Sequence, residues 1–385
     1  MEYRRFGRTN LKMSVFSLGG MRYPRGGEEP HDVLPDETLE AAYQTSQEAV
    51  KLGINHIETA YGYGKSERVY GKIIPRLSVS REKLIITTKV SPHNSADEFK
   101  RMIDQSLERL GLSYLDNLAI HGVNVLGDYE NIVKKNGCLE VLEKYRQDGL
   151  IRHIGFSTHA TLSVILKTIE TDAFDFVNLH FYYVFQRNLP AVKLAKAHDM
   201  GVFIISPNDK GGQLFDPPQK LAELTAPLSP MNFNTRFCLS YPEITTLSLG
   251  ASKPSEIQPH LKALTGGYYF TPEDLAIKLR VDAQILNLGK DYCTGCGECL
   301  PCPEKINIPE TLRLRNLDVA YGMRKFGQYR YKDFRPDDKW FNGAYGDQCT
   351  ECGDCLPRCP VRLEIPRLVK DTHQRFYVKK SVASA

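Results

Sequence analysis

Eight of the ten cysteines in this 385-residue chain stand in two short runs, CTGCGECLPCP at 293–303 and CTECGDCLPRCP at 349–360. Disulfides, zinc and iron–sulfur clusters compete to explain them. The opening MEYRRFGRTN has a twin arginine with no apolar stretch behind it, so no signal peptide is expected. A cytoplasmic location follows as the expectation, and structural disulfides are rare there. A four-cysteine zinc site takes two CxxC pairs separated by a longer loop. Here the cysteines of each run follow one another directly. The second run reads C-x2-C-x2-C-x3-C-P, and the first is one residue shorter before its last cysteine. Three cysteines spaced by two residues wrap one four-iron cubane, and a fourth followed by proline turns away to a neighbouring one.

The second run thus resembles that of bacterial two-cluster ferredoxins, in which the fourth cysteine ligates the other cluster. On that pattern Cys293, Cys296, Cys299 and Cys359 hold one [4Fe–4S] cluster, and Cys349, Cys352, Cys355 and Cys302 hold the second. The flanks repeat as well: CPEKINIPETLR and CPVRLEIPRLVK each place Ile-Pro before a helix-like stretch. Between the runs, ETLRLRNLDVAYGMRKF has a helical period, an insert that a compact two-cluster ferredoxin does not need. The tail resembles the α-helical ferredoxin modules of multi-subunit redox enzymes. Cys138 and Cys238 stand apart and read as buried thiols.

The rest of the chain has a different rhythm. VFSLGGM, INHIETA, KLIITTKV, YLDNLAIHG, IRHIGFST, FDFVNLHFYY, GVFIISPN and ITTLSLGA are short apolar runs separated by helical or mixed stretches. Short apolar strands alternating with helices indicate a parallel sheet covered on both faces. Eight such units in residues 1–265 fit a (β/α)8 TIM barrel, typically about 250 residues. A doubly wound sheet would more often show a GxGxxG turn after its first strand, and none is present. The expected organisation is therefore α/β: a barrel over 1–265, a helical linker over 266–290, and a mostly α-helical two-cluster domain over 291–385.

Barrel chemistry sits at the C-terminal ends of the strands. There the second strand ends at Glu58 and runs on to Tyr63, the third ends at Lys89, and the fourth at His121. A phenol with a pKa near ~10 is a poor acid at neutral pH. A neighbouring ammonium stabilises its anion, and a carboxylate holds the ammonium in place. An imidazole can hydrogen-bond a carbonyl oxygen. Together these groups can protonate a carbonyl oxygen while a hydride reaches the carbon. No HxH pair argues for a metal-hydrolase barrel.

These motifs resemble the aldo-keto reductase family. RFGRTNLKMSVFSLGGM is similar to its opening, ETAYGYGKSE to its DTAxxYGxSE motif, and SLERLGLSYLDNLAIHG, GLIRHIGFSTH and LGASKPSEI continue the match. With its tail, the chain resembles a branch of that family carrying a C-terminal ferredoxin-like domain. The resemblance implies that Tyr63 is the general acid, Lys89 tunes it and His121 orients the carbonyl, with Glu58 where the family has Asp. It also implies NADP(H) or NAD(H), contacted by Ser157, Thr158, Asn178, Ser206, Asn208, Lys210, Ser252 and Lys253. Several positions depart from the pattern. Thr158 replaces Asn, Asn178 replaces Gln, and Ile205 stands where an aromatic stacks on nicotinamide. Glu256 stands where an Arg often holds the 2′-phosphate, and Pro259 and His260 replace an adenine-contacting Glu-Asn. The catalytic corner matches the family better than the nicotinamide pocket does.

The function expected is an oxidoreductase that reduces a carbonyl or oxidises an alcohol, with electrons linked through two [4Fe–4S] clusters. Nicotinamide moves two electrons and a cluster one, so a flavin or an electron-carrier protein is a candidate link. Two alternatives remain at this stage. One is an electron-transfer adaptor subunit of a larger redox complex. The other is a redox-neutral lyase or epimerase that uses Tyr63 and Lys89. The net charge of +4 lacks the basic stripe of a nucleic-acid binder, and no apolar run approaches the ~20 residues that span a bilayer.

Overall fold

The computed structural model describes residues 1–22, 33–266 and 269–378. The chain divides into two compact units. The first comprises Met1–Gly211 and Asn234–Tyr269; the second comprises Gly212–Phe233 and the chain from Phe270 onward.

In the first unit a hairpin of β1 (Tyr3–Arg5) and β2 (Lys12–Ser14) precedes eight barrel strands. These are β3 (Phe16–Gly19), β4 (His56–Glu58), β5 (Ile85–Val90), β6 (Leu115–His121), β7 (Ile151–Ser157), β8 (Phe176–Leu179), β9 (Gly201–Ile204) and β10 (Thr246–Leu249). They pair in parallel in sequence order, and β10 closes on β3. The eight expected strands are all present, and the barrel is a TIM barrel. Strands buried on both faces need apolar residues on both, as the burial of all six residues of β5 shows. Local signals set the surrounding helices. Ala96–Leu110 starts at Ser95, whose side chain accepts the Glu98 N–H at 3.3 Å, and stops at Gly111 with φ +63°. Its buried Phe99, Ile103 and Leu110 form one face.

The hairpin leads into the floor of the barrel. Phe6 lies 5.3 Å from Phe176, in a cluster with Met13, Ile85 and Phe203. Gly7, at φ +53°, lets the chain pass there, because a Cβ would lie 2.3 Å from the Gly201 nitrogen. This apolar cluster packs against the starts of the strands, opposite their C-terminal ends. Halfway up runs a buried polar belt. Thr87 Oγ1 receives the Asn117 amide at 3.0 Å and lies 2.7 Å from His56 Nε2; Ser17 bridges His56 and Thr246. Burial pushes His56 down to about 3, so it stays neutral.

Among its described residues the second unit has no strand, only isolated bridges such as Ile306↔Ala344. Helix Pro272–Leu286 begins with a capping box between Thr271 and Asp274. The stretch expected as a linker is thus a helix within this unit. It is joined to residues 212–233 by Arg280, which donates to the carbonyls of Leu224 and Ala226 at 3.3 Å and 2.6 Å. Residues 212–233, read as part of the barrel, leave it as a long excursion after β9. The insert between the cysteine runs folds as two helices, Ile308–Tyr321 and Arg324–Tyr331, broken at Gly322 with φ +74°. No helix of the described residues is long and apolar enough to cross a membrane.

Candidate functional site

Side chains two apart on a strand point the same way. Glu58 and Lys89 therefore sit one layer above the polar belt of His56 and Thr87, at the open end. Lys89 donates to the Glu58 carboxylate and to the Thr59 carbonyl at 2.7 Å, and both ionic side chains are buried. The extra methylene of Glu58 does not prevent this pairing. Lys89 Nζ lies 4.5 Å from the centre of the Tyr63 ring. Tyr63 meets His121 edge to face, with ring centres 5.6 Å apart. Burial and then the Lys210 charge pull Lys89 below its usual value, but the Glu58 carboxylate in direct contact favours its charged form, so Lys89 stays an ammonium. Burial, Lys89 and Lys210 push His121 down to about 3. His121 is therefore neutral near pH 7 and can offer a hydrogen bond but no acidic proton.

The expected cofactor contacts separate into groups. Asn178 is fully buried, and neither its Oδ1 nor its Nδ2 finds a hydrogen-bond partner. Such an orphan pair is costly unless a ligand supplies the complementary donor and acceptor, as a carboxamide does. The hydroxyls at and just past the end of β7 are turned elsewhere. Thr158 donates to the Val123 carbonyl at 2.7 Å, and Ser157 accepts the Gly122 N–H at 3.2 Å. Ser206 has φ +52°, and the Asn208 amide nitrogen lies 3.3 Å from His260 Nδ1. Lys210 lies 3.3 Å from His159 Nε2. Beyond β10, one Glu256 oxygen accepts from Ser252 N–H (2.9 Å), the Ser252 hydroxyl (3.3 Å) and Arg22 (3.1 Å). Lys253 is exposed. Arg22, His159, His180 and Tyr182 were not singled out from sequence. Their position just past strand ends was the available signal.

The eight clustered thiols ring two cavities. Cys293, Cys296, Cys299 and Cys359 line one, with Ile308, Leu312 and Leu363. Cys302, Cys349, Cys352 and Cys355 line the other, with Glu304, Glu351 and Asp354. Each cavity takes three cysteines of one run and the last of the other. Among the described residues no three potential ligands converge on one point as a single ion would require. Thiols spread around a cavity suit a cubane, which offers each a separate iron. Burial pushes Cys299 up to about 12, so a thiolate there needs a metal to hold it. Cys138 and Cys238 are buried far from these cavities in sequence, each donating to a backbone carbonyl at 3.4 Å.

A parallel barrel with an acid–ammonium–phenol–imidazole corner, joined to a cysteine-rich helical module, defines a redox protein built on a TIM barrel. The comparisons sharpen this. Residues 17–276 match the aldo/keto reductase family, and residues 292–363 match a 4Fe-4S dicluster domain. The chain belongs to the aldo/keto reductase family and is an oxidoreductase with a C-terminal iron–sulfur domain. It is 28% identical to the L-galactose dehydrogenase of Arabidopsis thaliana over 69% of this chain and 88% of that one. It is 27% identical to a putative voltage-gated potassium channel subunit beta of Schizosaccharomyces pombe over 71% and 91%. Among solved structures, the holo form of an aldo-keto reductase from Bacillus halodurans superposes with a TM-score of 0.62 at 21% identity, covering 73% of this chain and 96% of that one. A Klebsiella pneumoniae aldo/keto reductase in complex with NADP and acetate gives 0.58 at 19%, covering 73% and 95%. These two show likeness of fold.

Proposed function

We propose that the chain reduces a carbonyl, or oxidises the matching alcohol, at the barrel mouth, with electrons linked through two [4Fe–4S] clusters. The observation that carries the reading is the corner in which Lys89 is clamped by Glu58, lies over Tyr63 and leaves His121 neutral. His121 hydrogen-bonds the carbonyl oxygen and turns it toward Tyr63. Tyr63 then donates its proton to that oxygen. The resulting phenolate is stabilised by the Lys89 ammonium until solvent reprotonates it. Glu58 and the Thr59 carbonyl keep that ammonium in place. Asn178 offers both halves of an amide pair to a nicotinamide carboxamide, while Ile205 offers no stacking face. A nicotinamide seated there would supply the hydride, two electrons in one step, and the clusters, moving one electron each, would together with a proton return the oxidised nicotinamide to its reduced form. A flavin or an electron-carrier protein would make the same conversion between two-electron and one-electron steps. The thiols of the two cavities are the ligands we assign, crosswise between the runs.

Cluster-loaded full-length protein, kept anaerobic, tests the reading. Titration with NADH or NADPH should bleach the visible absorbance of the clusters, and carbonyl compounds should restore it. Tyr63→Phe should lower turnover by about 100- to 10,000-fold, the usual cost of losing a general acid. Wild-type turnover in that variant would favour the adaptor reading.

A further inference from the structure

The mouth holds a second polar cluster that the catalytic corner does not use. His159 lies two residues past β7, His180 directly follows β8, and Lys210 lies in the loop after β9. Lys210 Nζ is 3.3 Å from His159 Nε2, and His159 Nδ1 is 3.1 Å from His180 Nε2. His180 Nδ1 meets the Tyr182 hydroxyl, which in turn meets the Ile205 carbonyl. A carbonyl only accepts, so Tyr182 donates to it. The Tyr182 oxygen then receives the His180 Nδ1 proton. His180 Nε2 accepts from His159 Nδ1, and His159 Nε2 accepts from Lys210. These contacts orient both imidazole rings and hold the ammonium of Lys210 beside His159.

Fixing a flexible lysine in advance removes the entropy that a ligand would otherwise spend in ordering it. The anchored charge also reaches the reacting corner, since Lys210 is a neighbouring charge that lowers both Lys89 and His121. Two ammoniums repelling across a partly desolvated mouth favour an anion between them. The Glu256, Ser252 and Arg22 cluster after β10, where the nucleotide end is expected, is separate from this one.

We propose that Lys210, positioned by His159 and His180, is an anion subsite of the barrel mouth, and that the substrate is a carbonyl compound carrying a carboxylate or phosphate group. The anionic group sits on Lys210 while the carbonyl faces Tyr63 and His121. This rests on the reductase reading above and names its substrate class.

Paired aldehydes test it on the full cluster-loaded chain: butanal against succinate semialdehyde, and benzaldehyde against 4-carboxybenzaldehyde. Calorimetric binding is read beside turnover. Wild type should favour the acidic member of each pair by about 10- to 100-fold in Kd, the size of one charge-assisted hydrogen bond. Lys210→Met should collapse that ratio, Lys210→Arg should keep most of it, and His159→Leu should weaken it by raising the acidic member's Kd and KM. Equal wild-type binding of the two members overturns the subsite, with or without turnover. So does a Lys210→Met variant that keeps the ratio and loses nicotinamide affinity instead, which would assign Lys210 to the cofactor pyrophosphate. Acid-selective binding that Lys210→Met abolishes, in a protein that turns over neither aldehyde, supports the subsite and refutes the reductase reading alone.

Discussion

Glu256 should set which nicotinamide the barrel accepts. Its carboxylate oxygen sits 2.9 Å from the Ser252 N–H and 3.1 Å from Arg22. A 2′-phosphate arriving on those donors would stand roughly one hydrogen-bonded group away, about 4 Å between charges. The side chains of Arg22 and Glu256 are 52% and 33% exposed, so a water-like dielectric applies. Each pair of unit charges at about 4 Å then costs about 1 kcal/mol. A phosphate carrying nearly two negative charges meets about 2 kcal/mol of repulsion, or about 30-fold in affinity. A 2′-hydroxyl meets no such penalty and can donate to the carboxylate. Glu256→Gln should therefore tighten NADP(H) about 30-fold relative to NAD(H), and Glu256→Arg should go further. Equilibrium titration by nicotinamide fluorescence at low salt reads the ratio. The gain should shrink between about 0.01 M and 1 M salt, because the site is partly exposed and screened. An unchanged ratio in both variants would refute the reasoning, and tight, NADPH-selective wild-type binding would place the phosphate elsewhere.

Three further outcomes can be checked separately. Cys302→Ser should damage the cluster built mainly from the second run, leaving wild-type iron and labile sulfide near eight each per chain and the variant clearly lower; loss of the first-run cluster instead, seen by electron paramagnetic resonance, would overturn the crosswise ligation. Asn178→Val should raise the thermal midpoint of the ligand-free protein, because removing two orphan polar atoms relieves about 1–3 kcal/mol each, while nicotinamide affinity falls; a variant that is both less stable and unaltered in affinity would count against the carboxamide site. Buried His56 titrates near 3 in the folded chain against about 6.5 when exposed, so the unfolded chain takes up a proton first and stability declines as pH falls below about 6.5. His56→Gln should flatten the thermal midpoint between pH 7 and pH 5.5, and an unchanged slope would show that His56 is not the group responsible.

Much of this molecule was legible in its residues because the signals were local. Eight apolar runs punctuated by helices could bury both faces only in a covered parallel sheet, and the barrel followed. Glu58, Lys89 and His121 end three successive strands, with Tyr63 just beyond the first, so neighbouring strand ends brought them together. Two cavities are each lined by three cysteines of one run and the last of the other. What stayed hidden depends on residues distant in the chain. Residues 212–233 read as one more barrel loop, because nothing local says that Arg280 will bind their carbonyls. Asn178 looked like a shortened glutamine, and only three dimensions left both ends of its amide unpaired. Glu256 looked like a lost phosphate ligand until Arg22 and Ser252 closed around it. Lys210, His159, His180 and Tyr182 come from loops after three different strands, and their order of donors and acceptors exists only once the barrel closes. Sequence determined which backbone could be buried; tertiary structure decided which polar atoms would meet, because hydrogen bonds depend on a few ångströms that strand pattern and spacing do not encode.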